Sequence, residues 1–115
     1  MDAKYTQKLT LHIPHFAFIG GRLEEIDHEA LKRRIFLHLR IYGVESWYTT
    51  PATGYYKERV YPQELLTVFC DEIAKGTIVD IFRRSFLEAE AELQQEAFAY
   101  ECNGTLVVAP LRGAT

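Results

Sequence analysis

The 115-residue sequence predicts a single α+β domain in which two helices cover one face of an antiparallel sheet. Two segments have apolar residues at helical spacing, and several others alternate apolar and polar residues as strands do. These segments follow the order β-α-β-β-α-β-β, which is typical of an α+β domain. Residues 1–115 are therefore expected to form one domain with one core.

The first strand is predicted over residues 8–13, KLTLHI, where apolar and polar residues alternate. Pro14 should break or bulge this strand, because proline cannot donate a hydrogen bond to a neighbouring strand. The segment HFAFI that follows is predicted to continue the strand as far as Gly20 and Gly21.

A helix is predicted over about residues 27–42. Asp27 can cap its amino end, and Arg40 lies in the last turn, where the helix dipole favours a cation. Gly43 follows as a residue that readily adopts the left-handed conformation in which helices end. The apolar stripe that would face the sheet consists of Leu31, Ile35, Leu39 and Tyr42.

Two more strands are predicted at residues 44–50 and 64–70, and the residues between them would form either a long hairpin or a loop. After a turn at Asp71–Gly76, a capping box at Thr77 and Asp80 predicts the start of the second helix. The apolar residues of this helix step by four, four, three and four positions: Ile78, Phe82, Phe86, Ala89 and Leu93.

A carboxy-terminal hairpin is predicted at Asn103-Gly104, since both positions of a type I′ turn need positive φ. With this two-residue turn, Cys102 opposes Thr105 and Tyr100 opposes Val107. One face of the hairpin would then carry Phe98, Tyr100, Cys102, Thr105, Val107 and Ala109.

The predicted order of elements fits a ferredoxin-like βαββαβ plait with an extra carboxy-terminal strand. Two helices would lie on one face of its sheet. The helix-free face must then be polar, be covered by a partner, or pair with a second copy of the chain. A homo-oligomer, either a dimer or a trimer, is therefore expected.

Composition excludes several classes of protein. The net charge of −3 and the pI of about 5.8 argue against nucleic-acid binding. No apolar run has the length of a signal peptide or a membrane span, so we expect a cytoplasmic protein. Cys70 and Cys102 fit that compartment as free thiols, which we favour over a disulfide.

The strongest functional signal lies in residues 41–70, around a turn-rich segment with proline and glycine. Exposed aromatic side chains at such a segment are typical of a contact surface. Alternatively, several of them pack a twisted hairpin through cross-strand pairs. The candidate binding residues here are Trp47, Tyr48, Tyr55, Tyr56 and Tyr61.

Two other groups of polar residues are candidates for chemistry. Arg34 and His38 lie one turn apart on the first helix and could bind an anion, or could form the polar rim of a core-facing surface. His12 and His15 could ligate a metal, but in a plain strand they would point to opposite faces, and metal sites need three or four converging ligands. No metal site, cofactor or catalytic set is predicted.

The segment GVESWYTTPATGYYKERVYPQELLTVFCDE lies between the two predicted helices and resembles part of small ferredoxin-like regulators. The nitrogen-regulatory signalling proteins are the best-known example. In that family, a long loop between the second and third strands contacts protein targets and, with the subunit clefts of a trimer, binds nucleotides. The resemblance covers the middle third of the chain and implies a regulatory module. The family's phosphate-binding pattern of glycine and lysine is absent, so it implies no ligand residues.

The leading hypothesis is a non-enzymatic interaction or regulatory module, expected to be homo-oligomeric, that uses residues 47–61 to contact a protein or a small ligand. One alternative is a small isomerase or cofactor-free oxygenase. Its pocket would lie between helices and sheet, with Arg34, His38 and tyrosines as polar groups. Another alternative is a mobile-element or phage inhibitor that masks a host enzyme.

Overall fold

The computed structural model describes residues 4–19, 21–56, 58–89 and 97–112, with the side chains of Phe18, Ile19 and Tyr56 outside that description. Within these ranges the chain forms two helices and seven strands. In chain order they are β1 (Gln7–Pro14), β2 (Phe16–Ile19), β3 (Arg22–Glu25), α1 (His28–Tyr42), β4 (Tyr48–Tyr56), β5 (Arg59–Cys70), α2 (Glu72–Glu88), β6 (Ala97–Cys102) and β7 (Thr105–Pro110).

Five strands form an antiparallel sheet in the order β4-β5-β1-β6-β7, which confirms the predicted α+β class. The expectation that HFAFI extends the first strand was wrong. The chain bends at His15, directly after Pro14, and residues 16–19 pair with β3 in a separate two-stranded sheet. Directly after β3, the Ile26 amide donates a hydrogen bond of 3.0 Å to the His15 carbonyl.

The core lies between the large sheet and both helices. Leu9, Leu11 and Ile13 alternate along β1 and are fully buried, as the strand pattern predicted. Buried residues from both helices join them in one apolar cluster, so both helices cover the same face of the sheet. No helix in the described ranges is long and apolar enough to cross a membrane.

Helix α1 begins and ends as its sequence predicts. The Asp27 carboxylate accepts a hydrogen bond of 3.0 Å from the Ala30 amide, and Gly43 adopts a left-handed conformation with φ of 102°. The first three residues of the predicted stripe are buried. Tyr42 is instead exposed and borders the groove described below.

Helix α2 begins earlier than predicted. Asp71 is the capping residue, and its carboxylate accepts a hydrogen bond of 2.7 Å from the Ala74 amide. The predicted cap at Thr77 was wrong, because Asp71 comes directly after β5 and provides a cap six residues sooner. Gly76 therefore lies inside the helix, while Leu93 is outside the described residues.

Both hairpins are well defined by their pairing. The long hairpin between β4 and β5 keeps its register as far as Tyr56 opposite Arg59, so the residues between the two predicted strands continue them. The strand predicted over residues 44–50 begins only at Tyr48. At the second hairpin Asn103 and Gly104 have φ of 52° and 86°, which confirms the predicted turn. The predicted pairs of Cys102 with Thr105 and of Tyr100 with Val107 are also present.

Candidate functional site

An open groove with a volume of about 720 Å³ lies at one end of the sheet. It is lined by the end of α1 and its connection to β4, by the end of β5, by the first turns of α2, and by the segment before β1. Five aromatic residues line it, together with two carboxylates. The aromatic residues are Tyr5, Tyr42, Trp47, Tyr48 and Phe69, and the carboxylates belong to Glu45 and Asp71.

The end of α1 shapes one wall of this groove. The Gly43 amide donates a hydrogen bond of 3.0 Å to the Arg40 carbonyl, and the Val44 amide donates one of 2.9 Å to the Leu39 carbonyl. Together with the left-handed Gly43, these bonds end the helix and turn the chain back towards the sheet. The turn brings the segment from Val44 to Tyr48 along the groove.

Two aromatic contacts involve residues that line the groove. The Trp47 ring stacks on Phe36 of α1, with the ring centroids 5.3 Å apart. The Tyr48 ring lies 6.4 Å from that of Phe69, which is on the neighbouring strand. Because Trp47 is half-buried and Tyr48 is 48% exposed, the groove offers one fixed and one accessible aromatic ring.

The electrostatic character of the groove is acidic. Glu45 is exposed, and no lysine, arginine or histidine is among the described residues that line the groove. Asp71 is also exposed, although one of its oxygens caps α2. Burial, with the nearby Asp71 carboxylate, raises the pKa of the Cys70 thiol, so this thiol is a poor nucleophile near neutral pH.

The predicted aromatic site is divided in two by the structure. Trp47 and Tyr48 border the groove, whereas Tyr55 and Tyr61 lie towards the turn of the long hairpin. Tyr48 and Tyr55 are seven residues apart along β4, or about 23 Å at ~3.3 Å per residue. The five aromatics therefore do not share one tip, since the residues between them continue as paired strands.

The distal tyrosines differ from one another. Tyr55 is 71% exposed, and Val60 opposite it is exposed as well. Tyr61 is half-buried, and its hydroxyl is buried without a hydrogen-bond partner among the described residues. Tyr56 pairs through its backbone with Arg59, while its side chain lies outside the description.

Arg34 and His38 are not part of the groove. Both are half-buried on α1, and His38 Nε2 lies 3.0 and 3.1 Å from the two carboxylate oxygens of Glu88 on α2. This contact joins the two helices. Because Glu88 belongs to α2, the sequence pattern of α1 alone could not indicate this partner of His38.

A second polar cluster, formed by His15, His28 and Glu64, was missed by the sequence prediction. Its imidazole and carboxylate ligand atoms all lie within 4.8 Å of one another. The sequence suggests His12 as the companion of His15, but His12 Nε2 instead lies 2.8 Å from Glu101 Oε2. Only the bend at His15 and the pairing of β1 with β5 bring the cluster together, so no local signal could have shown it.

These features define a small α+β protein with an aromatic, acidic groove at the end of its sheet. No family model and no curated protein matches the chain. Its structure is similar to a solved structure described as a phage SAM lyase in the apo state, with a TM-score of 0.57 and 12% sequence identity. The match covers 95% of this chain and 90% of the other. At this identity, the likeness shows the fold alone.

Proposed function

We propose that the protein binds S-adenosylmethionine (SAM) in the aromatic groove and breaks one of its carbon–sulfur bonds. The observation that carries this proposal is a groove combining five aromatic side chains with two carboxylates and no basic residue among its described lining. The similar fold of a protein described as a SAM lyase supports it. The sequence predicts that residues 47–61 contact a protein or a small ligand, and this proposal identifies the small ligand as SAM.

The chemistry of SAM matches the groove. SAM carries a sulfonium cation, an ammonium group, a carboxylate and an adenine ring. A cation is attracted to the face of a tryptophan or tyrosine ring, and adenine can stack on another. Glu45 and Asp71 would favour the positive charges. The groove volume of about 720 Å³ is also within the range of small-molecule sites, about 300–1,000 Å³.

The reaction needs little chemical help from the protein. The sulfonium is a leaving group that becomes a neutral thioether when a carbon–sulfur bond breaks and the electron pair moves to sulfur. The carboxylate of SAM itself can attack the carbon that loses sulfur, forming a lactone with no gain or loss of atoms. Binding in one conformation, with the carboxylate held against the carbon that loses sulfur, would accelerate this step. A protein nucleophile is not required.

Calorimetry with SAM and with S-adenosylhomocysteine tests recognition, because the second molecule has the same nucleoside but a neutral sulfur. We expect SAM to bind about 5- to 30-fold more tightly, since a cation on an aromatic face contributes roughly 1–2 kcal/mol. Mass spectrometry of the same mixture would show loss of SAM and formation of a thioether. Equal or absent binding of both molecules would contradict the proposal.

A matched pair of variants on β4 locates the site. Tyr48→Ala should weaken SAM binding, because Tyr48 lines the groove and its ring is accessible. Tyr55→Ala removes an exposed tyrosine from the same strand outside the groove and should leave binding unchanged. If SAM binds without being converted, the protein is a non-enzymatic ligand-binding module, as the leading sequence hypothesis holds.

The exposed pair at the far end of the hairpin supports a second candidate, a protein-interaction surface. Tyr55 and Val60 are paired across the two strands and are both exposed. Such a surface would suit a regulator or an inhibitor of another enzyme. The double variant Tyr55→Ala, Val60→Ser should abolish capture of a protein partner while the wild-type chain captures it. Equal capture by both would exclude this surface.

We also propose that the four strands β4, β5, β1 and β6 form a ferredoxin-like plait. Their spatial order, with α1 between β1 and β4 and α2 between β5 and β6, supports this assignment. We further propose a homo-oligomer, because the sheet face opposite the helices exposes Phe69, Leu106 and Val108. Cys70 and Cys102 are free thiols in the structure, which is consistent with the proposed cytoplasmic location.

A further inference from the structure

We propose that the protein binds a divalent transition-metal ion, with Zn²⁺ as the reference ion, between His15, His28 and Glu64. This site is independent of the proposed SAM groove. Glu64 lies five residues before Phe69 on β5, or about 17 Å along the strand at ~3.3 Å per residue. The three residues come from the bend after β1, the first turn of α1, and β5.

The distances between ligand atoms suit a tetrahedral ion. Zinc bonds to nitrogen and oxygen of about 2.0–2.1 Å place neighbouring ligand atoms roughly 3.3–3.4 Å apart. His15 Nε2 is already 3.3 Å from Glu64 Oε1. His28 Nε2 is 4.0 Å from the same oxygen, so this pair would have to close by about 0.6 Å. Because the lone pair of an imidazole nitrogen lies in the plane of its ring, one of the two stacked rings would also have to turn for both nitrogens to point at one ion.

The two imidazoles are incompletely hydrogen-bonded, although His28 Nε2 lies 3.4 Å from Glu29 Oε1. Their rings are stacked, with centroids 3.6 Å apart and planes inclined by 13°. His15 Nε2 and His28 Nδ1 are buried and have no hydrogen-bond partner among the described residues. A buried imidazole nitrogen without a partner is unfavourable, and a metal bound to His15 Nε2 would remove that deficit there.

Lys32 at present supplies the positive charge at Glu64. Its Nζ lies 3.0 and 3.1 Å from the two Glu64 oxygens and 2.7 Å from Glu29 Oε1. A metal ion would compete with this ammonium for Glu64. The long Lys32 side chain could then retain Glu29, which lies closer to solvent. The Lys32 ammonium would therefore compete with a metal ion for Glu64, and removing it by substitution tests the proposal.

The chemical nature of the ligands selects the class of ion. Two imidazoles and one carboxylate favour zinc and other first-row transition metals over Mg²⁺ and Ca²⁺, which prefer oxygen ligands. Three protein ligands also leave a fourth tetrahedral position open. Since the ligands join β5 to the bend after β1 and to α1, a bound ion would also hold these elements together.

The test is calorimetric titration of the tag-free, metal-free chain with Zn²⁺, combined with the visible spectrum of the Co²⁺-substituted protein. We expect one ion per chain and tetrahedral Co²⁺ bands. His15→Ala and His28→Ala should each weaken binding by more than about 100-fold, because loss even of an outer-shell partner costs 10–100-fold. Circular dichroism should confirm that both variants are folded.

Two further variants separate a metal site from a general effect of histidines. His12→Ala removes a histidine that also pairs with a carboxylate, Glu101, and should leave the affinity unchanged. Lys32→Gln should raise the affinity, because it removes the competing ammonium from Glu64. Absence of saturable binding to the wild-type chain would overturn the proposal. Equal losses in His12→Ala and His15→Ala would also overturn it.

Discussion

Trp47 stacks on Phe36 with the ring centroids 5.3 Å apart, and this contact joins the last residue before β4 to the middle of α1. Both rings are half-buried and pack against the apolar core. Trp47 also lines the groove. The same side chain therefore connects the stability of the domain to the shape of its candidate binding site.

Trp47→Ala should lower the free energy of unfolding by about 2–4 kcal/mol, because it removes a large packed ring and leaves a cavity beside Phe36. Trp47→Phe should retain most of that stability, since a smaller aromatic ring can still stack. Denaturant unfolding would measure both changes. Equal stabilities of the Ala and Phe variants would show that the stack contributes little.

Two glycines should respond to alanine substitution with opposite signs. Gly104→Ala should destabilise the protein by about 1–2 kcal/mol, because Gly104 has φ of 86° and an alanine is strained there. Gly76→Ala should stabilise it by about 0.5–1 kcal/mol, since Gly76 lies within α2 and an added Cβ would meet nothing within 4 Å. Thermal unfolding of the two variants checks both signs, and a shared sign would contradict this account.

Cys70 should react with iodoacetamide more slowly than Cys102 in the folded protein. Cys70 is buried, and burial with the adjacent Asp71 raises the pKa of its thiol, whereas Cys102 is partly exposed. Peptide mapping after partial alkylation would give the two rates. In denaturant the rates should become similar, and preferential labelling of Cys70 in the folded state would contradict the prediction.

The raised pKa of Cys70 also makes the free energy of unfolding depend on pH. The folded thiol keeps its proton to a higher pH than the unfolded thiol does. Its contribution to stability is therefore present below the unfolded pKa, about 8.5, and is lost as the pH rises through the folded pKa. Above ~8.5 the wild type should lose stability more steeply than Cys70→Ala, as measured by denaturant unfolding across this range.

Val108→Glu should dissociate the proposed homo-oligomer, because Val108 is 66% exposed on the helix-free face of the sheet. Ile73→Glu is the matched control, since Ile73 is 90% exposed but belongs to α2. Light scattering coupled to gel filtration would give the masses. A monomeric wild type, or equal effects of both variants, would exclude this face as the interface.

His38→Ala should change the free energy of unfolding by less than about 1 kcal/mol, since its partner Glu88 is partly exposed and such ion pairs are weak. It should also leave SAM binding unchanged, because His38 does not line the groove. A large loss of SAM binding or turnover in this variant would instead favour the alternative pocket that uses Arg34 and His38.

Sequence patterns succeeded where the controlling interactions are local. Asp27 and Gly43 mark the two ends of α1, and each forms hydrogen bonds with residues within one or two turns. Asn103-Gly104 forms its turn because two adjacent residues adopt positive φ. These features depend on neighbouring residues, so their residue types were sufficient to predict them.

The start of α2 was harder to predict because two capping residues compete. Asp71 and Thr77 both precede apolar residues at helical spacing, and the sequence favoured Thr77. Asp71 caps the helix through a hydrogen bond from the Ala74 amide to its carboxylate, and α2 accommodates Gly76 in its interior. Because glycine lowers helix propensity without forbidding a helix, Gly76 was misread as part of a turn.

The sequence by itself determined the α+β class, the two helices, the alternation of β1 and the carboxy-terminal hairpin, because each follows from periodicity or from adjacent residues. Tertiary structure alone decided that the aromatic segment is split between a groove and a hairpin end. It also decided that His15 meets His28 and Glu64, which are distant in the sequence. Both outcomes depend on strand register and on the bend after Pro14, and these fix which distant side chains share a surface.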